Sequence, residues 1–218
     1  YDVPKERQYT DYKELIAKEK PEIVSVATQP EHRAEIVIHA VESGARAIYA
    51  EKAMAASMQE VDAMVEAVER NGAVFNLGTN RRWHPGYDKM KEVIDGGRLG
   101  PLSSIIVYQN TSLFNGSSHN FDLVLRLNSD RPVSWVQAHL PEDHRGGLSN
   151  SGDFPLLEGD LMLEDPSGHG IIQFENGVTA YALLSGADGW MFDGEDALGQ
   201  ITTMSLDNQR NLKLAIDR

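Results

Sequence analysis

The stretch EIVSVATQPEHRAEIVIHAVESGARAIYAE, Glu22 to Glu51, decides how the first half of the chain is read. It opens on a short apolar run rich in β-branched residues, Glu22–Thr28, which predicts a central strand of a parallel sheet. Pro30 suits the first turn of a helix, and Ala34, Val37, Ile38 and Val41 then recur at the spacing of one helical face. Gly44 marks the end of that helix as the residue that tolerates a left-handed backbone. A second apolar strand covers residues 46–50 and stops abruptly at Glu51-Lys52.

The same rhythm extends both ways. Upstream, Thr10 is expected to cap a helix carrying Tyr12, Leu15 and Ile16, which Lys20-Pro21 ends. Downstream, Ser57-Met-Gln-Glu60 has the form of a capping box, in which serine and glutamate each satisfy a free amide of the first turn. Val61, Met64, Val65 and Val68 follow on one face, Gly72 closes the helix, and AVFNLG (73–78) reads as another buried strand. Alternating strands and helices with such short connections predict a parallel, doubly wound sheet of Rossmann type.

Beyond residue 100 strand-like runs dominate: LSSIIVYQNTS, PVSWVQAHL, LEGDLMLED, HGIIQFENGVTAYALLSG and QITTMSLDNQRNLKLAI. Glu175-Asn176-Gly177 and Asp207-Asn208 read as hairpin turns, and Phe121–Leu127 as one amphipathic helix. The expectation is α/β plus α+β: a partial Rossmann-type domain over residues 1–82, then a mostly antiparallel domain over 83–218.

A net charge of -13 and a pI near 4.9 speak against a nucleic-acid surface, which needs clustered Lys and Arg. The absence of cysteine excludes disulfides, thiol nucleophiles and Cys-based zinc sites, and no histidine has metal-ligand spacing. No apolar run approaches the roughly 20 residues of a membrane span. A soluble cytoplasmic protein is therefore the default, and the sequons at Asn110 and Asn115 read as chance matches. The opening YDVPKERQ reads as the middle of a loop, so the chain is expected to be cut at both ends.

In an open parallel sheet, ligands bind beyond the carboxyl ends of the strands. Three segments are predicted to converge there: Ala27-Thr28-Gln29-Pro30, Glu51-Lys52, and Gly78-Thr79-Asn80-Arg81-Arg82. An adjacent acid and base at such an edge is either a solvated strand end or a proton-handling lysine beside a ligand. His32 is either a surface histidine of a helix start or a ligand contact. Arg81, Arg82 and Trp83 are either ligand contacts or a packed interdomain hinge.

The run from Ile23 to Ser57, with Thr28-x-Pro30-x-His32, a helix, and a strand ending in Glu51-Lys52, resembles the Gfo/Idh/MocA superfamily of oxidoreductases. NRRWHPGYDKMKEVIDGGRLGPLSSI (80–105) is similar to that family's passage into its substrate domain, and the similarity runs from about Tyr9 to Pro141. The resemblance implies a dehydrogenase or reductase using NAD or NADP on a CH–OH group of a sugar, inositol or related polyol. It implies Lys52 and His119 as catalytic residues, with Asn115 and Asp122 supporting His119. Ala27, Thr28, Pro30, His32, Glu51 and Asn80 would contact the cofactor. Arg81, Arg82 and Trp83 would join Lys52 and His119 around the substrate. Pairing of the second domain's sheet into a homo-oligomer is implied as well; no nucleic-acid or membrane partner is.

Two positions depart from the family pattern. Ala53 replaces the proline after Glu-Lys, which leaves the turn less restrained. Asn115 replaces an acid four residues before His119, and an amide cannot stabilise an imidazolium by charge. No Gly-x-Gly-x-x-Gly turn between strand and helix occurs in the chain. Three readings follow: a dehydrogenase, a redox-cycling glycoside hydrolase or lyase that regenerates its NAD, and a sugar- or cofactor-binding sensor with reduced catalysis.

Overall fold

The computed structural model describes residues 3–108, 113–114, 116–140, 168–184, 189–195, 201–207 and 212–216. The chain divides into two compact units, Tyr1–Thr79 and Asn80–Arg218.

In the first unit β1 (Ile23–Val26), β2 (Ala47–Ala50) and β3 (Val74–Leu77) form a parallel sheet in that order. Helix α1 (Tyr12–Glu19) precedes β1, α2 (Pro30–Glu42) links β1 to β2, and α3 (Met58–Arg70) links β2 to β3. Local chemistry sets these boundaries. Pro30 opens α2, and Gly44 after its end takes φ +102°, a backbone that a β-carbon would strain. At α3 the Glu60 amide donates to Ser57 Oγ at 3.2 Å, while Glu60 Oε2 accepts from the Ser57 amide at 3.1 Å. The same oxygen also accepts from the Ala56 amide at 2.9 Å. The cap of α1 is Asp11 instead of the expected Thr10: its carboxylate accepts from the Lys13 amide at 2.8 Å. A carboxylate outranks a threonine hydroxyl in that position, adding charge next to the helix dipole.

Register sorts the sheet into two faces. Val24, Ile48 and Phe75 align on one, with Val26, Ala50 and Leu77 behind them. This face meets Val37 and Val41 of α2 and Met64 of α3 in a continuous core. The opposite face leaves Ile23 70% and Val74 67% exposed. The expectation of a central β1 and a buried β3 differs from what these three strands show: β1 and β3 flank β2, and among the described residues one face of the sheet is covered. A short apolar run carries no alternation that would separate the two cases.

The second unit opens with α4 (Pro85–Asp95), capped by His84, whose Nδ1 accepts from the Gly86 amide at 3.0 Å. Around α5 (Ser117–Leu127) the strands are β4 (Leu102–Tyr108), β5 (Val133–His139), β6 (His169–Phe174), β7 (Thr179–Leu183), β8 (Gly189–Glu195), β9 (Ile201–Asp207) and β10 (Leu212–Ile216). They form one sheet in the order β10-β9-β8-β4-β7-β6-β5. The pairing of β4 with β7 is parallel, and every other neighbouring pair is antiparallel. Met90 of α4 and Leu123 and Leu127 of α5 pack with Ile105 and Val107 of β4 and Phe174 of β6. The β6–β7 hairpin turns through Gly177 at φ +90°. Its Asn176 donates from Nδ2 to Asn128 Oδ1 at 2.9 Å, tying the turn to the end of α5. The expected strand LEGDLMLED and the positions Asn110 and Asn115 lie outside the described residues. Among the described residues no helix is long and apolar enough to cross a membrane.

Replacing Ser57 with alanine is expected to cost about 1 kcal/mol by loss of the cap. Met90→Ala, which empties a fully buried site, should cost about 2–5 kcal/mol. Urea denaturation of each variant checks both.

Candidate functional site

The carboxyl ends of three parallel strands meet at one edge because the ladder holds Val26, Ala50 and Leu77 level with one another. Backbone bonds extend that alignment past the strands. The Glu51 amide donates to Val26 O at 2.9 Å and the Gly78 amide to Ala50 O at 2.6 Å. A β-carbon on Gly78 would sit 3.1 Å from Ala50 O and 3.3 Å from Glu51 Cα, so glycine permits this close approach. Ala27-Thr28, Glu51-Lys52 and Gly78-Thr79 thus lie side by side, although far apart in sequence.

Glu51 and Lys52 are both half-buried, and Glu51 folds back so that its Oε2 accepts from the Lys52 amide at 3.0 Å. Thr28 Oγ1 is buried and has no hydrogen-bond partner. Pro30 is buried at the start of α2, whereas Ala27 and His32 are exposed. An ammonium, a carboxylate and a spare hydroxyl on one strand edge can bind a hydroxylated ligand and move a proton to or from it.

One charged residue of this edge escaped the sequence reading. Arg33 of α2 is 1% exposed; its Nη2 donates to Thr28 O and its Nη1 to Ala53 O. Burial lowers its pKa from the usual arginine value, and the fields of Glu51 and then Glu31 oppose that shift. Burying an ion costs on the order of several kcal/mol, which these carbonyls and carboxylates must offset. The signal was present: Arg33 stands three residues after Pro30 and four before Val37, on the same buried face.

In the second unit Asn80–Trp83 forms a 3₁₀ turn with Asn80 exposed and Arg81 half-buried. Arg82 Nε donates to Asp122 Oδ2 at 3.0 Å, and its guanidinium carbon lies 5.8 Å from the centre of the Trp83 ring. Arg126 Nη1 donates to Arg82 O, and its Nη2 to Asp88 Oδ1 at 2.6 Å. Arg126 was missed because a cation in the last turn of an amphipathic helix reads as solvated. His119 lies in the first turn of α5 and is 9% exposed. Asp122, expected to orient that imidazole, gives a carboxylate oxygen to Arg82. The first unit therefore assembles Thr28, Glu51, Lys52 and Arg33, and the second assembles Arg82, Trp83 and Asp122, with His119 one helical turn from Asp122.

Residues 1–79 match the model of the GFO_IDH_MocA family, described as an oxidoreductase family with an NAD-binding Rossmann fold. The inositol 2-dehydrogenase of Salmonella typhimurium is 28% identical over 95 residues, covering 43% of this chain and 28% of the relative. An oxidoreductase of Formosa agariphila is 26% identical over 176 residues, covering 78% of this chain and 54% of the relative. The chain thus spans about half, or less, of the length of these relatives. Among solved structures, an inositol dehydrogenase homologue from Azotobacter vinelandii, complexed with NADH and myo-inositol, superposes with a TM-score of 0.72 at 13% identity. That match covers 95% of this chain and 60% of the other, and establishes likeness of fold. The orphan hydroxyl of Thr28 and the close backbone at Gly78 leave a hydrogen-bonding group at this edge that a polar ligand could satisfy.

Asp122→Asn removes the charge that holds Arg82, and the partly exposed pair should be worth about 1 kcal/mol or less. Hydrogen exchange is expected to speed up at residues 80–83 and to remain unchanged in α3.

Proposed function

We propose that this chain is part of a Gfo/Idh/MocA-type dehydrogenase acting on a CH–OH group of inositol or a related polyol or sugar, a reading supported by the match of residues 1–79 to that family's NAD-binding Rossmann-fold model. The observation that carries the reading is Lys52, half-buried at the strand edge where Thr28 presents an unsatisfied hydroxyl. The names of the inositol dehydrogenase relatives support the substrate class.

Thr28, Glu51 and the start of α2 at Pro30 would hold the nicotinamide end, with Ala27, His32 and Asn80 as further cofactor contacts. When bound, NAD or NADP supplies the hydride acceptor at its nicotinamide carbon. Lys52 Nζ would hydrogen-bond the reacting oxygen and, as the neutral amine, would accept the hydroxyl proton as the hydride leaves, so that the ammonium formed faces the product carbonyl. Glu51, folded against the Lys52 backbone, fixes the turn from which the ammonium projects. His119 is proposed as the second proton-handling group; its burial on a packed helix limits its ring to few orientations. Arg81 and Trp83 would meet substrate hydroxyls and the ring face, while Arg82, held by Asp122, would set their turn.

Trp135 of β5 and Tyr181 of β7, which the register places on the face turned away from α4 and α5, stay 48% and 38% exposed, which supports a second copy of the chain docking on this sheet. A dimer or tetramer is the expected result of light scattering, weakened by Trp135→Glu; a monodisperse monomer removes the proposal.

Incubated with NAD or NADP and a panel of cyclic polyols, the protein is expected to produce reduced cofactor. Lys52→Ala should lower kcat by about 10²-fold or more. Undiminished turnover in that variant would show that Lys52 has another role.

A further inference from the structure

Arg33 is the largest of the fully buried side chains among the described residues, and nothing in the proposed chemistry uses it. Its placement is unusual for a packing residue. The guanidinium lies between two loops that the sheet brings together, and its fork donates to one carbonyl in each: Thr28 at the end of β1 and Ala53 after β2. Ala53 directly follows Lys52. An alanine imposes no ring restraint on its own φ, so the turn depends on outside contacts for a single conformation. On the far side, Glu60 Oε2 holds the Ala56 and Ser57 amides. On the near side, Glu51 holds the Lys52 amide. The Ala53 carbonyl lies between these anchors, and its bond comes from Arg33.

We infer that Arg33 is a positioning residue for Lys52: by gripping the Thr28 and Ala53 carbonyls together, it sets the direction in which the Lys52 side chain leaves the strand edge. The inference rests on the role proposed above for Lys52. A guanidinium suits this task because its rigid planar fork spans two acceptors at fixed separation, which a single ammonium does not. Burial disfavours the charged fork, and the negative fields of Glu51 and then Glu31 oppose that penalty. A purely structural role would need the charge and the volume, whereas positioning needs the two-pronged geometry.

The test compares Arg33→Lys and Arg33→Met with the unsubstituted chain, free of cofactor. Lysines are converted to ¹³C-dimethyllysine, and the Lys52 signal is assigned by its loss in Lys52→Arg. In both Arg33 variants the Lys52 signal should narrow and move toward the position of exposed lysines, with far-UV circular dichroism unchanged. In the polyol assay, Arg33→Lys should lower kcat about tenfold while KM stays within about twofold, as expected for a misdirected catalytic group. A Lys52 signal unchanged in Arg33→Lys overturns the inference. So does a signal that moves only in Arg33→Met, since that reports lost charge and not lost geometry. Should Arg33→Met fail to fold, Arg33→Lys alone decides. If Lys52→Ala retained full turnover, the catalytic reading of Lys52 would fall while the spectroscopic result on Arg33 would stand.

Discussion

The register of three short parallel strands is the constraint on which the first unit depends. Each strand is only four residues long, so a slip of one position would exchange Val26, Ala50 and Leu77 with the open face and empty the core beneath α2 and α3. The same alignment determines where Thr28, Lys52 and Gly78 emerge. Packing and site geometry therefore have one origin: the ladder that buries Ile48 and Met64 also brings a hydroxyl, an ammonium and a close backbone to one edge. The amide bonds from Glu51 to Val26 and from Gly78 to Ala50 carry that order into the loops, where side chains alone would leave it loose.

Much of this was legible because helices and turns announce themselves through local chemistry. Pro30, Gly44, the Ser57–Glu60 box and Gly72 each have a reason that spans a few residues, and the structure uses them as read. What failed needed information that neighbours in sequence do not carry. Whether β1 lies at the centre or the edge depends on which other strands share the sheet. The interleaved order that places β4 between β7 and β8 depends on pairings many residues apart. For the site, convergence of the strand ends followed from topology alone, and Lys52 from its position on it. Arg33 was passed over although its spacing put it on the buried stripe, because a charge in an apolar pattern is habitually read as pointing outward. Helical spacing points Asp122 toward His119, and it could not show that Asp122 also accepts from Arg82 of another element.

The second unit solves a different problem. Among the described strands a single parallel pairing, β4 with β7, sits within an otherwise antiparallel sheet, and α4 and α5 pack on it to form its core. The arginine pair there works by division: Arg126 holds the backbone of the 80–83 turn while Asp122 holds the side chain of Arg82. Trp83 is left with its ring face largely uncovered beside a guanidinium.

The start of α3 has a consequence in time as well as in space. Because one carboxylate oxygen of Glu60 receives both the Ala56 and the Ser57 amide, the helix cannot fray at its first turn without releasing the segment that leads back to Lys52. Fraying and side-chain reorientation elsewhere on the surface run on picosecond to microsecond scales. Here any fraying of the first turn is coupled to the few residues between the helix and the strand edge. The cap is thus one of three anchors on that segment, with Arg33 at Ala53 and Glu51 at Lys52.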